Sequence, residues 1–186
     1  DGTLKNGVTT GVSSPVGKGL GFDGDKNQYV NVGNSSDLDT YTPTVCAWVR
    51  HDGHDDSGWD GVFSNGGENA LTGYSVYVAN GVVEARTDDT DHKSEISLDV
   101  GTWYHVAVSF SDSDEIRFIV DGGKKTATLT GSISSFDNYD TFVGTNAWNA
   151  SGDNWNGVIA NIRVYNRVLS EREINDLYQR RTPTSY

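Results

Sequence analysis

Apolar and polar residues alternate with a period of two along much of this 186-residue chain. Val45, Ala47 and Val49 fall on one side of "TVCAWVR", Tyr74, Val76 and Val78 on one side of "GYSVYVA", and Tyr104, Val106, Val108 and Phe110 on one side of "TWYHVAVSF". That period is the mark of a half-buried strand. Strands are predicted at 28–32, 44–50, 73–79, 82–87, 102–110, 115–121 and 157–165, each rich in β-branched or aromatic residues and bounded by Gly, Asn, Asp or Pro. Asn80-Gly81 predicts a two-residue hairpin turn, and Asp121-Gly122-Gly123 joins "EIRFIV" to "KKTATL" in the same way.

Helical spacing is confined to the carboxyl end. Ser170 and Glu173 form a capping box, Leu169 and Ile174 a hydrophobic staple, and Ile174, Leu177 and Tyr178 an apolar stripe. The predicted helix runs over about 170–181, with Arg180 and Arg181 at the negative end of its dipole and Pro183 as its stop. The expectation is an all-β fold, a two-sheet antiparallel sandwich with one short C-terminal helix.

Composition narrows the function. Twenty-two Gly, five Trp and nine Tyr suit a turn-rich β domain, and 186 residues suit one such domain. Fourteen Lys and Arg against 26 Asp and Glu give a net charge of −12, which disfavours nucleic acid and anionic membrane surfaces. No apolar run approaches the ~18–20 residues of a membrane span. Of the acids, 20 are Asp, mostly in Gly/Asn/Ser-rich stretches where Asp caps turns or binds Ca²⁺. An acidic surface fits a Ca²⁺-using extracellular module and a salt-rich habitat alike. Cys46, between Val45 and Ala47, reads as a small buried hydrophobe. Asn34 and Asn149 open acceptor sequons, which matter in a secreted protein.

"GKGLGFDG" (17–24), "QYVNVG" (28–33), "TPTVCAWVR" (42–50), "GTWYHVAVSF" (101–110), "FIVDGGK" (118–124) and "WNGVIANIRVYNRVLSEREINDLY" (155–178) resemble, in order, the successive signatures of the laminin-G-like jelly-roll domains of the concanavalin A-like lectin/glucanase superfamily. The resemblance covers nearly the whole chain. It implies a single jelly-roll domain over 1–186, and a truncated likeness at "DGTLKNGV" implies a fragment of a longer multidomain protein. The family's roles include carbohydrate binding, adhesion and sometimes hydrolysis, so fold alone does not assign activity.

The hydrolytic branch pairs glutamates on one strand in an E-x-D-x-E type spacing, to supply nucleophile and acid. Glu84, Glu95 and Glu115 have no second Glu at that spacing, so no enzyme is expected. His51 and His54 form H-x-x-H in a Gly/Asp loop and read as solvated. His105 reads as structural, bonded across its sheet.

Two features remain. Asp23, Asp25 and Asn27 offer side-chain oxygens at alternating positions, and the family resemblance adds Asn161 as the late-strand ligand, giving a structural Ca²⁺ site or plain turn capping. The second is a set of polar loops with embedded Trp, at 51–60, 87–93 and 146–155. Sugars are held by an aromatic platform and hydroxyl-bonding side chains. Trp59 and Trp148 are the candidate platforms, or else plugs of the sandwich ends, as Trp155 is expected to be. His54, Asp56, Asp91 and Asn149 are the candidate hydroxyl partners. The expected role is non-enzymatic recognition of a glycan or glycoprotein at an extracellular, cell or virion surface. A structural or adhesive module that contacts protein through the same rim is the alternative.

Overall fold

The protein is described from a computed structural model, covering residues 2–53, 58–66, 72–88, 90–137, 139–146 and 152–180. Its strands are β1 (Thr3–Lys5), β2 (Thr9–Ser14), β3 (Gly17–Phe22), β4 (Tyr29–Gly33), β5 (Thr44–His51), β6 (Trp59–Asn65) and β7 (Tyr74–Ala79). They continue with β8 (Val82–Thr87), β9 (Thr90–Ser97), β10 (Trp103–Phe110), β11 (Glu115–Val120), β12 (Lys125–Thr130), β13 (Thr141–Val143) and β14 (Gly157–Tyr165), and the helix α1 (Glu171–Gln179) follows.

Two antiparallel seven-stranded sheets form. The first runs β1-β4-β13-β6-β7-β8-β9 and the second β12-β11-β10-β5-β14-β3-β2. The predicted alternation determines which side chains meet between them. Val45 and Val49 from β5, Val76 and Val78 from β7, and Val106 and Phe110 from β10 join Phe118, Ile116 and Val83 in one apolar core. Each such large side chain contributes about 1.5–3 kcal/mol when removed from water.

Turn chemistry fixes the register. Asn80 and Gly81 both have positive φ, 49° and 82°, as a type I′ turn requires, so Ala79 pairs with Val82 and Tyr77 with Glu84.

The helix begins as its sequence predicts. Ser170 Oγ accepts from the Glu173 amide while the Glu173 carboxylate accepts from the Ser170 amide. Leu169 and Ile174 pack on Cys46, Ala107 and Ile119, and Tyr178 stacks on Trp48 with ring centroids 5.6 Å apart. The helix thus seals the outer face of the second sheet. Burial pushes the Cys46 thiol up to about 12, in keeping with its role as a small hydrophobe.

Six strands of the described residues lie outside the expected set: Thr3–Lys5, Thr9–Ser14, the glycine-rich Gly17–Phe22, Trp59–Asn65, Thr90–Ser97 and Thr141–Val143. Trp59–Asn65 forms where a loop to residue 60 was expected, and Thr90–Ser97 where 87–93 was read as loop. Gly61 interrupts the alternation of β6, and charged side chains at every second position disguise β9 as solvated chain. His51 is also corrected: it is buried at the end of β5, 2.8 Å from Asp60, and not solvated.

Candidate functional site

Alternation that sends Tyr74, Val76 and Val78 into the core sends Ser75, Tyr77 and Ala79 to the outer face of the first sheet. Register then sets their neighbours. Tyr77 stands between Gly61 of β6 and Glu84 of β8, Glu84 faces Lys93 of β9, and Arg86 faces Asp91. Gly61 has no substitute here, because a Cβ would lie 2.2 Å from the backbone carbon of Thr145 as the chain crosses the strand.

Trp59 lies on Tyr77, with ring centroids 5.1 Å apart and planes at 19°. Trp59 is half-buried and Tyr77 fully buried, so the phenol ring is a pedestal beneath the indole. The Tyr77 hydroxyl is 2.9 Å from Asp91 Oδ1 and 3.2 Å from Glu84 Oε2. Asp91 also accepts from Arg86 Nη1, and Lys93 Nζ is 3.6 Å from Glu84. Burial, then Asp91 and Glu84, pushes the Tyr77 hydroxyl far above its ordinary range, so it stays protonated. Burial likewise raises the Glu84 carboxyl, against the partial opposition of Lys93.

The Tyr77 hydroxyl thus bridges the Asp91 and Glu84 carboxyl groups.

At one end of the sandwich two of the three predicted loops meet. Asp52 N donates to Asn156 O at 2.9 Å, Gly61 N to Asp153 O at 3.1 Å, and Thr145 forms a β-bridge with Asn154. Beneath them lie the His51–Asp60 pair and Trp155, whose ring centroid is 5.1 Å from that of His51. Trp155 is the expected plug. The turn of 87–93 sits at the other end of the first sheet, where Ser134 N donates to Asp88. Asp91 is linked to Trp59 through Tyr77. His54, Asp56, Trp148 and Asn149 lie outside the described residues.

Of the four residues proposed for calcium, Asp23, Asp25 and Asn27 share the turn after β3, and Asn161 lies apart from them. Asp23 pairs with Lys26, Asp25 is exposed, and Asn27 Oδ1 accepts from Asn154 Nδ2 at 3.1 Å. Asn161 sits on a bulge of β14, accepting from Arg163, four residues beyond the Gly157 that pairs with Phe22. At strand rise that is roughly 13 Å from the loop. The His105 ring is buried against Trp48 and Tyr178.

Tyr77, Glu84, Arg86 and Lys93 are the site residues the sequence reading missed. The signal was present: the Asn80-Gly81 turn fixes the hairpin register, which places Glu84 opposite Tyr77.

Residues 23–175 match the concanavalin A-like lectin/glucanases superfamily. The chain belongs to that superfamily, in its laminin-G-like branch. No curated protein is similar enough to match. Among solved structures, domain 4 of AbnA, an extracellular arabinanase from Geobacillus stearothermophilus in complex with arabinotriose, aligns at TM-score 0.68 and 14% identity over 96% of this chain and 88% of that one. The binding domain of botulinum neurotoxin DC in complex with SialylT aligns at 0.69 and 13% over 96% of this chain. This superfamily member spans 46% of that neurotoxin domain. A SAP-like pentraxin from Limulus polyphemus aligns at 0.58 and 16% over 75% and 70% of the two chains. At these identities the likeness is one of fold.

Proposed function

We propose that this domain is a non-catalytic glycan-binding module of an extracellular or surface protein, and that its site is the outer face of the first sheet around Trp59. The observation that carries this is the partly exposed Trp59, whose ring is held on the buried Tyr77 ring. An indole fixed by a pedestal offers a sugar's C–H face a platform that loses little freedom on binding. On the same face of the sheet, beyond Tyr77, Arg86 of β8 and Asp91 and Lys93 of β9 would supply the bonds to sugar hydroxyl groups. The arabinotriose and SialylT complexes of the fold neighbours support a sugar ligand for this site. The bridging Tyr77 hydroxyl supports the absence of hydrolysis, since it keeps the Glu84 and Asp91 carboxyls on each other's network.

A glycan array probed with the intact domain and with Trp59→Ala tests the reading. The expected result is a set of glycans bound by the first and lost by the second. A domain that binds no glycan, or binds the same set without Trp59, overturns it.

A further inference from the structure

A phenol has one hydrogen, and Tyr77 has two carboxyl neighbours within hydrogen-bond reach. That hydrogen can satisfy only one of them. The shorter contact is to Asp91 Oδ1, at 2.9 Å against 3.2 Å for Glu84. Asp91 also has the Arg86 guanidinium on the same oxygen and its side chain is 28% exposed, so its negative charge is compensated. Glu84 is 2% exposed, and its nearest cation, Lys93, is 3.6 Å away on a side chain 62% exposed to water. If Glu84 were ionised, its 3.2 Å contact with Tyr77 would set lone pairs against lone pairs in a buried place.

We infer that Glu84 is a positioning residue that carries a proton in the folded protein: its carboxyl donates to the Tyr77 oxygen, Tyr77 donates to Asp91, and this one-way chain sets the Trp59 platform. The groups facing Glu84 are Tyr77 from β7 and Lys93 and Asp91 from β9, with Arg86 two residues along its own strand. Burial of the carboxyl, with Asp91 nearby, acts in the same direction by raising it. As pH rises and the proton leaves, the Tyr77 oxygen loses its donor and the pedestal shifts under Trp59. Glycan affinity falls over the same interval, a consequence that rests on the proposed function.

The test is a carboxyl ¹³C titration of the glutamates by NMR, with Glu84→Gln assigning the signal and the Trp59 indole resonance followed in parallel. Glu84 is expected to ionise above the ordinary glutamate range, and the Trp59 signal to move at the same pH. In Glu84→Gln, whose amide still donates to Tyr77, the Trp59 signal should hold its low-pH position throughout. Glu84 ionising in the ordinary glutamate range, or a Trp59 signal that ignores its ionisation, overturns the inference. Because the readout needs no sugar, its failure is separate from a failure to bind glycans. Arabinotriose binding measured over the same pH range adds the functional arm, and its expected result is a loss of affinity at high pH in the wild type alone.

Discussion

His51 and Asp60 meet at 2.8 Å with 1% and 0% of their side chains exposed, one at the end of β5 in the second sheet and the other at the start of β6 in the first. The pair therefore ties the two sheets together at the base of the 51–60 loop, directly under Trp155 and one residue from Trp59. It fixes the end of the strand from which the Trp59 platform projects.

Asp60→Ala removes this buried hydrogen bond and is expected to cost about 1–3 kcal/mol. For a domain of this size that lowers the melting temperature by about 2–12 °C, which calorimetry reads directly. A melting temperature equal to that of the wild type would show that the pair does not hold the sheets.

The helix carries a pH signature of its own. Glu173 is pulled down from 4.5 to about 2, chiefly by the Arg167 guanidinium and then by the Ser170 amide and hydroxyl. A carboxylate whose folded value is depressed stabilises the fold fully above its unfolded value, and that contribution is lost as pH falls through the folded one. Stability should therefore erode between about pH 4.5 and about pH 2 in the wild type. In Glu173→Gln that component of the slope should be missing, as acid titration of the helical circular dichroism signal would show.

Much of this was legible in the sequence where local chemistry decides structure. Ser170 and Glu173 announce a cap, and Asn80-Gly81 announces a turn whose positive φ values no bulkier pair adopts as easily. β6 and β9 were hidden because their outward positions carry what a loop also carries: Gly61 where the Thr145 backbone crosses, and Asp91, Lys93 and Glu95 toward solvent. Trp59 and Asp91 were legible as candidates from residue type, but their meeting through Tyr77 was not. That contact depends on strand order and on a bulge between Gly61 and Phe63, which are tertiary facts.

Calcium is a further proposal, limited by geometry to Asp23, Asp25 and Asn27, since Asn161 lies on another part of β14. A cation held there at about 100 times its dissociation constant adds roughly 2.7 kcal/mol, so millimolar Ca²⁺ should raise the melting temperature by about 5–10 °C. Asp23→Ala should abolish the shift. A wild-type melting curve indifferent to Ca²⁺ would leave the loop as capped turn.

The central claim is that a sugar stacks on Trp59. It is tested most directly by titrating the strongest glycan from the array into wild type and Trp59→Ala by calorimetry, with melting curves of both proteins in the same buffer. Stacking on an aromatic ring contributes about 1 kcal/mol by analogy with aromatic pairs, so a loss of roughly fivefold in affinity is expected. The lost stack on Tyr77 should lower the melting temperature by only about 1–6 °C, leaving a folded protein. An unchanged affinity in that folded variant would contradict the account.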